Sequence, residues 1–200
     1  MSINATSQVI VDGIYYVLDE TAKTASVTRG DYNGTVIIPS TIIYNDIEYK
    51  VTSIKDQAFD HCSNLTSVAI PNSVISIGSW AFYYCSSLTE LTIPKSVISI
   101  GKSAFYGCDG ITSLVIEDGA TVLYLDQYNT FGNIETLHIG RTTHSVGSLF
   151  SGNTKLSSVT FSNNVTCIED NEFYGCSSLT SIILPNRVTT IGQYAFSNIA

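Results

Sequence analysis

Residues 65–85 read Leu-Thr-Ser-Val-Ala-Ile-Pro-Asn-Ser-Val-Ile-Ser-Ile-Gly-Ser-Trp-Ala-Phe-Tyr-Tyr-Cys. The stretch from Leu65 through Val68 and Ile70 alternates apolar with small or polar residues and closes on Pro71, which predicts a short strand ended by proline. Val74 and Ile77-Gly78 form a second short apolar element, Ala81-Phe82 a third, and Cys85 follows three residues after the phenylalanine. The next residues write the same thing again as Leu88, Leu91, Ile93-Pro94, Val97, Ile100-Gly101, Ala104-Phe105 and Cys108. Phe59, Phe82 and Phe105 are 23 apart, as are Phe150, Phe173 and Phe196, and Leu65, Leu88, Ile111, Ile134, Leu156 and Leu179 follow at 23, 23, 23, 22 and 23. A period of this length is one coil of a solenoid, in which each coil buries its apolar side chains against its neighbours. With strands stacked about 4.7–4.9 Å apart, about seven coils make a rod roughly 30 to 35 Å long.

The repeated pattern resembles the BspA-type leucine-rich repeat, which reads Leu-x-x-Leu-x-Leu-Pro, two apolar pairs, then Gly-x-x-Ala-Phe-x-x-Cys. The resemblance covers about residues 50 to 200. It implies a right-handed leucine-rich-repeat solenoid, mainly β with short 3-10 or helical turns on the convex side, of about seven coils of 23 residues behind an N-terminal β-hairpin cap. That family populates bacterial and protist cell surfaces, with adhesion and binding of host proteins as its roles. The resemblance therefore implies a secreted or cell-surface recognition module, adhesin-like, with a protein ligand such as a host extracellular-matrix or plasma protein. It implies neither enzymatic activity nor a cofactor.

Residues 1–50 form the expected β cap and 51–200 the repeats. Val9 to Leu18 and Thr24 to Thr28 are β-prone runs around the polar stretch Asp19 to Lys23, which predicts a hairpin. Val36-Ile37-Ile38-Pro39 copies the strand-and-proline end of a coil, but Pro39 to Ile54 is 15 residues where Pro71 to Ile77 is 6. The excess, about Thr41 to Tyr49, reads as a protruding turn or short hairpin. At the other end four residues, Ser197 to Ala200, follow Phe196, so the expectation is an uncapped end that continues into further chain or pairs with something, self-association included.

Composition narrows the partners. The chain has 200 residues and a net charge of −8 at pH 7, with nine Lys and Arg scattered along it, which argues against nucleic acid. Charged residues make up 13%, about half the roughly 25% usual for a globular domain. No apolar run approaches the roughly 18 residues of a membrane span. Four of five cysteines, Cys62, Cys85, Cys108 and Cys176, hold one place in the coil, and Asn153 holds it in another. That pattern reads as a packing or hydrogen-bonding slot of free thiols, not a disulfide framework or a zinc site. Asn-x-Ser/Thr sequons at Asn4, Asn33, Asn64 and Asn164 read as turn chemistry. Glu169, Asp170 and Glu172 read as a solvated acidic corner, and His61, His138 and His144 as surface histidines, so no catalytic or metal site is assigned.

Candidate binding residues come from two places. In Leu-x-x-Leu-x-Leu the third and fifth residues point away from the core, toward the concave face. They give Ser67 and Ala69, Glu90 and Thr92, Ser113 and Val115, Thr136 and His138, Ser158 and Thr160, Ser181 and Ile183. Of this small, hydroxyl-rich stripe, Glu90, Thr92, Ser113, Thr136, His138, Ser158 and Thr160 are the candidate partner-binding set. The rhythm breaks once, where Ile111 to Phe131 spans 20 residues against a rule of 17 and Phe131 to Ile134 spans three against a rule of six. The stretch Val122 to Phe131 brings Tyr124, Asp126, Gln127 and Tyr128, read either as a repaired coil with Tyr124 and Leu125 in the core or as an exposed binding loop with Tyr124 and Tyr128 as contacts. Tyr83, Tyr84, Tyr106, Tyr174 and Tyr194 fall beside the Ala-Phe segments as a discontinuous convex row. Alternatives to protein recognition are a structural spacer within a larger surface protein and a carbohydrate-binding module resting on the tyrosines.

Overall fold

The computed structural model describes residues 8–126, 128–129, 131–145 and 148–200. Asn4 of the first sequon and Gln127 of the inserted stretch lie outside them. The N-terminal region is an antiparallel meander. β1 (Gln8–Val11) turns through Asp12-Gly13, at φ 49° and 79°, into β2 (Ile14–Asp19), and β2 pairs antiparallel with β3 (Thr24–Val27) around the expected polar turn. The Asp19 carboxylate holds that turn by accepting the Thr21 and Ala22 amides at 3.0 and 2.8 Å. Thr41 to Tyr49 is a hairpin of β5 (Thr41–Tyr44) and β6 (Ile47–Ile54), joined by Asn45-Asp46 with both residues left-handed, the turn that matches strand twist.

From here the chain coils. On one side β4 (Gly34–Ile37) pairs parallel with β7 (Leu65–Ala69), and β9 (Glu90–Ile93), β11 (Ser113–Ile116), β13 (Thr136–Ile139) and β15 (Ser158–Phe161) form a four-stranded parallel sheet. On a second side β3, β6, β8 (Ser76–Ile77), β10 (Ser99–Ile100), β12 (Leu123–Leu125) and β14 (Thr143–Ser145) pair parallel in turn. β16 (Cys167–Ile168) and β17 (Thr190–Ile191) continue the same pattern as a separate pair. The alternation read in the sequence holds: Leu91, Ile93, Leu114 and Ile116 are buried and Glu90 and Thr92 exposed.

The Ala-Phe segments close the third side as successive turns, with no helix among the described residues. Gln57, Phe59 and His61 donate forward to the carbonyls of Ser79, Ala81 and Tyr83 in the next coil at 3.0, 2.7 and 2.7 Å. Between them Ala58, Asp60 and Cys62 donate backward to Lys55, Gln57 and Phe59. Left-handed residues at the first and fifth positions, Gln57 and His61, then Trp80 and Tyr84, aim alternate amides across the coil gap and prevent a helix from propagating.

Under these turns runs a continuous stack of rings. Phe59 and Phe82 lie 4.7 Å apart at 5°, Phe82 and Phe105 5.2 Å at 8°, and Phe173 and Phe196 5.6 Å at 2°. Among the phenylalanines the planes tilt around Phe131, by 37° to Phe105 and 29° to Phe150, and Tyr32 meets Phe59 at 39°. The cysteine slot is a carbonyl cap: Cys85 Sγ donates to Phe59 O at 3.0 Å, Cys108 to Phe82 O at 3.0 Å and Cys176 to Phe150 O at 3.3 Å. All five thiols are free, and burial pushes those of Cys85 and Cys108 up, Cys108 to about 12.

Candidate functional site

Strand register sorts the stripe into two columns. Glu90, Ser113, Thr136 and Ser158 stand in one row, and Thr92, Val115, His138 and Thr160 in the other, each residue directly beside its counterpart on the next strand. All seven candidates on this sheet are exposed or half-buried, so one face collects them all. Thr136 Oγ1 donates to Ser113 Oγ at 3.1 Å. His138 is wedged between Thr160 Oγ1, 2.9 Å from Nδ1, and Asp118 Oδ1, 2.8 Å from Nε2. A carboxylate only accepts, so it holds the proton on Nε2 and presents Nδ1 to the threonine hydroxyl. Asp118 is the member of this group that the strand pattern missed, because it lies beyond the end of β11, outside the alternating positions.

Tyr124 and Tyr128 are both 58% exposed, so of the two residues expected to fill a repaired core only Leu125, 2% exposed, does so. Register explains it. Tyr124 pairs with Ser99, which pairs with Ser76, which pairs with Ser53, so tyrosine occupies the outward place that serine holds in three earlier coils. It forms the wall of an open groove of about 520 Å³ laid over Gly78, Ser99 and Gly101, with Asp56, Asp126 and His144 on its margins. Tyr128 lies apart from that groove at φ 63°, with Lys102 Nζ 5.5 Å from its ring centre.

His138 and His144 do not meet: the first is on the Leu-x-Leu sheet, the second on β14 against Glu169. Among the described residues no group of three or more His, Cys, Asp or Glu could hold a metal. The acidic corner is not wholly solvated. Glu172 is 3% exposed, and burial pushes its carboxyl up to about 7, although the Glu169 amide at 2.8 Å and the Thr143 hydroxyl at 3.3 Å both donate to it. It follows β16, which among the described residues pairs with β17 and not with the ladder that runs to β14.

The irregular coil is mended by single side chains. Asn129, 3% exposed, accepts the Phe105 amide at 3.3 Å where a neighbouring coil would offer a backbone carbonyl. Arg141, 1% exposed, reaches back two coils to donate to Pro94 O at 2.8 Å and Lys95 O at 2.9 Å. Burial lowers its pKa, partly opposed by Glu117. It is a brace, not a partner of His138. On the convex side Tyr83, Tyr84 and Tyr106 interlock at 4.6 to 5.8 Å, with His61 against both Tyr83 and Tyr84. Tyr174 and Tyr194 stand three and four coils beyond Tyr106.

No helix among the described residues is long and apolar enough to cross a membrane. No curated protein matches the chain. Among solved structures the chain is similar to a leucine-rich cell surface protein from Faecalibacterium prausnitzii, at 31% identity and a TM-score of 0.70 over 98% of this chain and 53% of that one. A leucine-rich repeat protein from Eubacterium ventriosum matches at 25% identity and a TM-score of 0.68, over 99% of this chain and 51% of the other. The T. pallidum leucine-rich repeat protein shares the fold, at 24% identity and a TM-score of 0.70 over 93% and 86%. The chain thus spans about half the length of the first two. Six copies of the BspA type leucine-rich repeat region match residues 40–150 and 147–200. With its coil, its ring stack and its cysteine slot accounted for, the chain belongs to the BspA-type leucine-rich repeat family.

Proposed function

We propose that the chain is a protein-recognition module of a secreted or cell-surface protein, adhesin-like, and that its binding face is the Leu-x-Leu sheet. One observation carries the reading: the two outward columns from Glu90 to Ser158 and from Thr92 to Thr160 lie in unbroken register on four parallel strands. A side chain on such a sheet keeps its position without further ordering, so a partner meets a face already set for contact. The columns are small and hydroxyl-bearing, with His138 as their largest side chain, which suits a flat partner surface bound modestly over many coils. The similar Faecalibacterium protein is a leucine-rich cell surface protein, which supports the location.

The test is biolayer interferometry of the chain against a panel of extracellular-matrix and plasma proteins. Thr136→Arg and His138→Ala alter the sheet face, and a Tyr124→Ala, Tyr128→Ala pair alters the inserted stretch. Saturable binding weakened about tenfold by Thr136→Arg, roughly the loss of one well-packed contact, supports the reading. Binding lost only in the tyrosine pair moves the site to the irregular coil, and silence across the panel favours a spacer.

A further inference from the structure

The shortened side of the irregular coil leaves a notch on the convex surface. Where every other coil spends six residues between its Phe and the next Leu or Ile, this one spends three, Phe131-Gly132-Asn133-Ile134. Less chain therefore lies over the turn of the coil before it. The amide at the fifth turn position donates to the next coil from His61, Tyr84, Gly152 and Gly175, at 2.7, 2.8, 2.7 and 2.8 Å. The counterpart in the preceding coil, the Gly107 amide, has no such partner among the described residues. The space is a cavity of about 270 Å³.

Its lining combines aromatic rings with polar groups at the rim. Tyr84 and Tyr106 meet edge to face, 5.8 Å apart at 76°, and make a corner of two aromatic walls, 41% and 42% exposed. Tyr84 lies directly on Gly107: a Cβ there would come within 2.7 Å of the ring, and φ is +75°. Gly132 forms the opposite side, and Asp109 and Asn133 supply a carboxylate and an amide at the rim, the Asn133 Nδ2 donating to Asp109 O at 3.1 Å. Tyr84 itself is left-handed, at φ 56°, in the place where Gly107, Gly152 and Gly175 stand in other coils. His61 at φ 60° and Asn198 at φ 59° are left-handed in the same place, so this conformation belongs to the turn.

We propose that this notch binds a single sugar ring of a glycan. The Tyr106 ring, stacked on Tyr83 by one face, takes the C–H face of a pyranose with the other, Tyr84 being held between His61 and Gly107, while a carboxylate, an amide and a backbone N–H without a partner among the described residues take hydroxyl groups. The volume falls below the roughly 300 Å³ at which drug-sized sites begin, which suits one ring and not an extended peptide. The site is independent of the Leu-x-Leu sheet, so either reading stands if the other falls.

The test is a titration of the ¹⁵N-labelled chain with D-galactose, D-mannose, D-glucose and N-acetyl-D-glucosamine, followed by amide chemical shifts. The expected result is saturable shifts at Gly107, Gly132 and Asn133 with at least one sugar. Tyr106→Ala should weaken them about tenfold, the worth of one aromatic contact. Gly132→Leu should abolish them: its Cβ would meet nothing within 4 Å, so the side chain plugs the notch without disturbing the coil. Thr136→Arg on the sheet should leave the response intact. No saturable response to any of the four sugars overturns the proposal. So does a response that survives Gly132→Leu, or one that maps to Tyr124. A protein ligand lost in Tyr106→Ala without any sugar response also overturns it and gives the notch to a protein side chain.

Discussion

Asn153 concentrates at one residue what the cysteine slot does elsewhere. Its Nδ2 donates to Phe131 O at 3.0 Å and Ile134 O at 2.9 Å, while Oδ1 accepts the Lys155 and Leu156 amides at 2.9 and 3.1 Å. The residue is 0% exposed, so truncation strands two carbonyls and two amides. Asn153→Ala should therefore cost about 3 to 5 kcal/mol in urea denaturation. Asn153→Cys restores the S–H cap seen at Cys85 and Cys108 and should lose about half as much. Equal losses for alanine and cysteine would show that an S–H adds nothing here and that the four bonds of the asparagine amide carry this slot.

Among the elements, the stretch after β16 is where stability depends on pH. Glu172 keeps its proton up to about 7 in the folded chain because burial disfavours the carboxylate; charge on Glu169 adds to this, while the two donated hydrogen bonds and His144 oppose it. An unfolded chain releases the same proton near 4.5. Between those values the folded state binds more protons, so stability falls as pH rises, by about 1.4 kcal/mol per unit at most. Glu172→Gln should match the wild type near pH 4.5 and exceed it at pH 8, by about 2 to 3 kcal/mol in paired denaturation curves. A constant difference across that range would mean that Glu172 is ionised throughout. None of this was legible in Glu169-Asp170-Asn171-Glu172, which by composition is a solvated corner. The regular coils were legible because their apolar positions recur and, from Leu65 through Ile116, are mostly buried, and the excess spacing at Thr41 to Tyr49 marked its hairpin. In the irregular coil the repairs fall to Asn129 and Arg141, polar residues that sequence patterning sends to the surface. The notch at Gly107 was hidden for a related reason: a missing overlap leaves a shortened spacing in the chain but no residue to read.

Across the whole molecule, stability is a sum of coils and of the junctions between them. The junctions from β9 and β10 through β13 and β14 have a ladder on two sheets and a ring contact, whereas among the described residues β7 and β9 are not laddered on the first side. The junction after β14 keeps the β13–β15 ladder and the Phe150–Phe173 contact, and on the second side the bonds between described residues include side chains. There Thr142 Oγ1 accepts the Thr166 amide at 2.9 Å and meets the Thr166 hydroxyl at 3.0 Å. Beyond it Ile182, Leu184 and Val188 are only half-buried, where their counterparts Leu91, Ile93 and Val97 are at 1%, 0% and 0%. Residues 165–200 should therefore open as a unit of lower free energy than residues 90–116, which are laddered on both sides, seen as earlier amide deuteration in native-state hydrogen exchange. Thr142→Val removes the junction's side-chain bonds while keeping its shape. It should lower protection across 165–200 by about 1 to 2 kcal/mol and leave 90–116 unchanged. Uniform loss in both segments would make the solenoid one cooperative unit and the junction after β14 energetically silent.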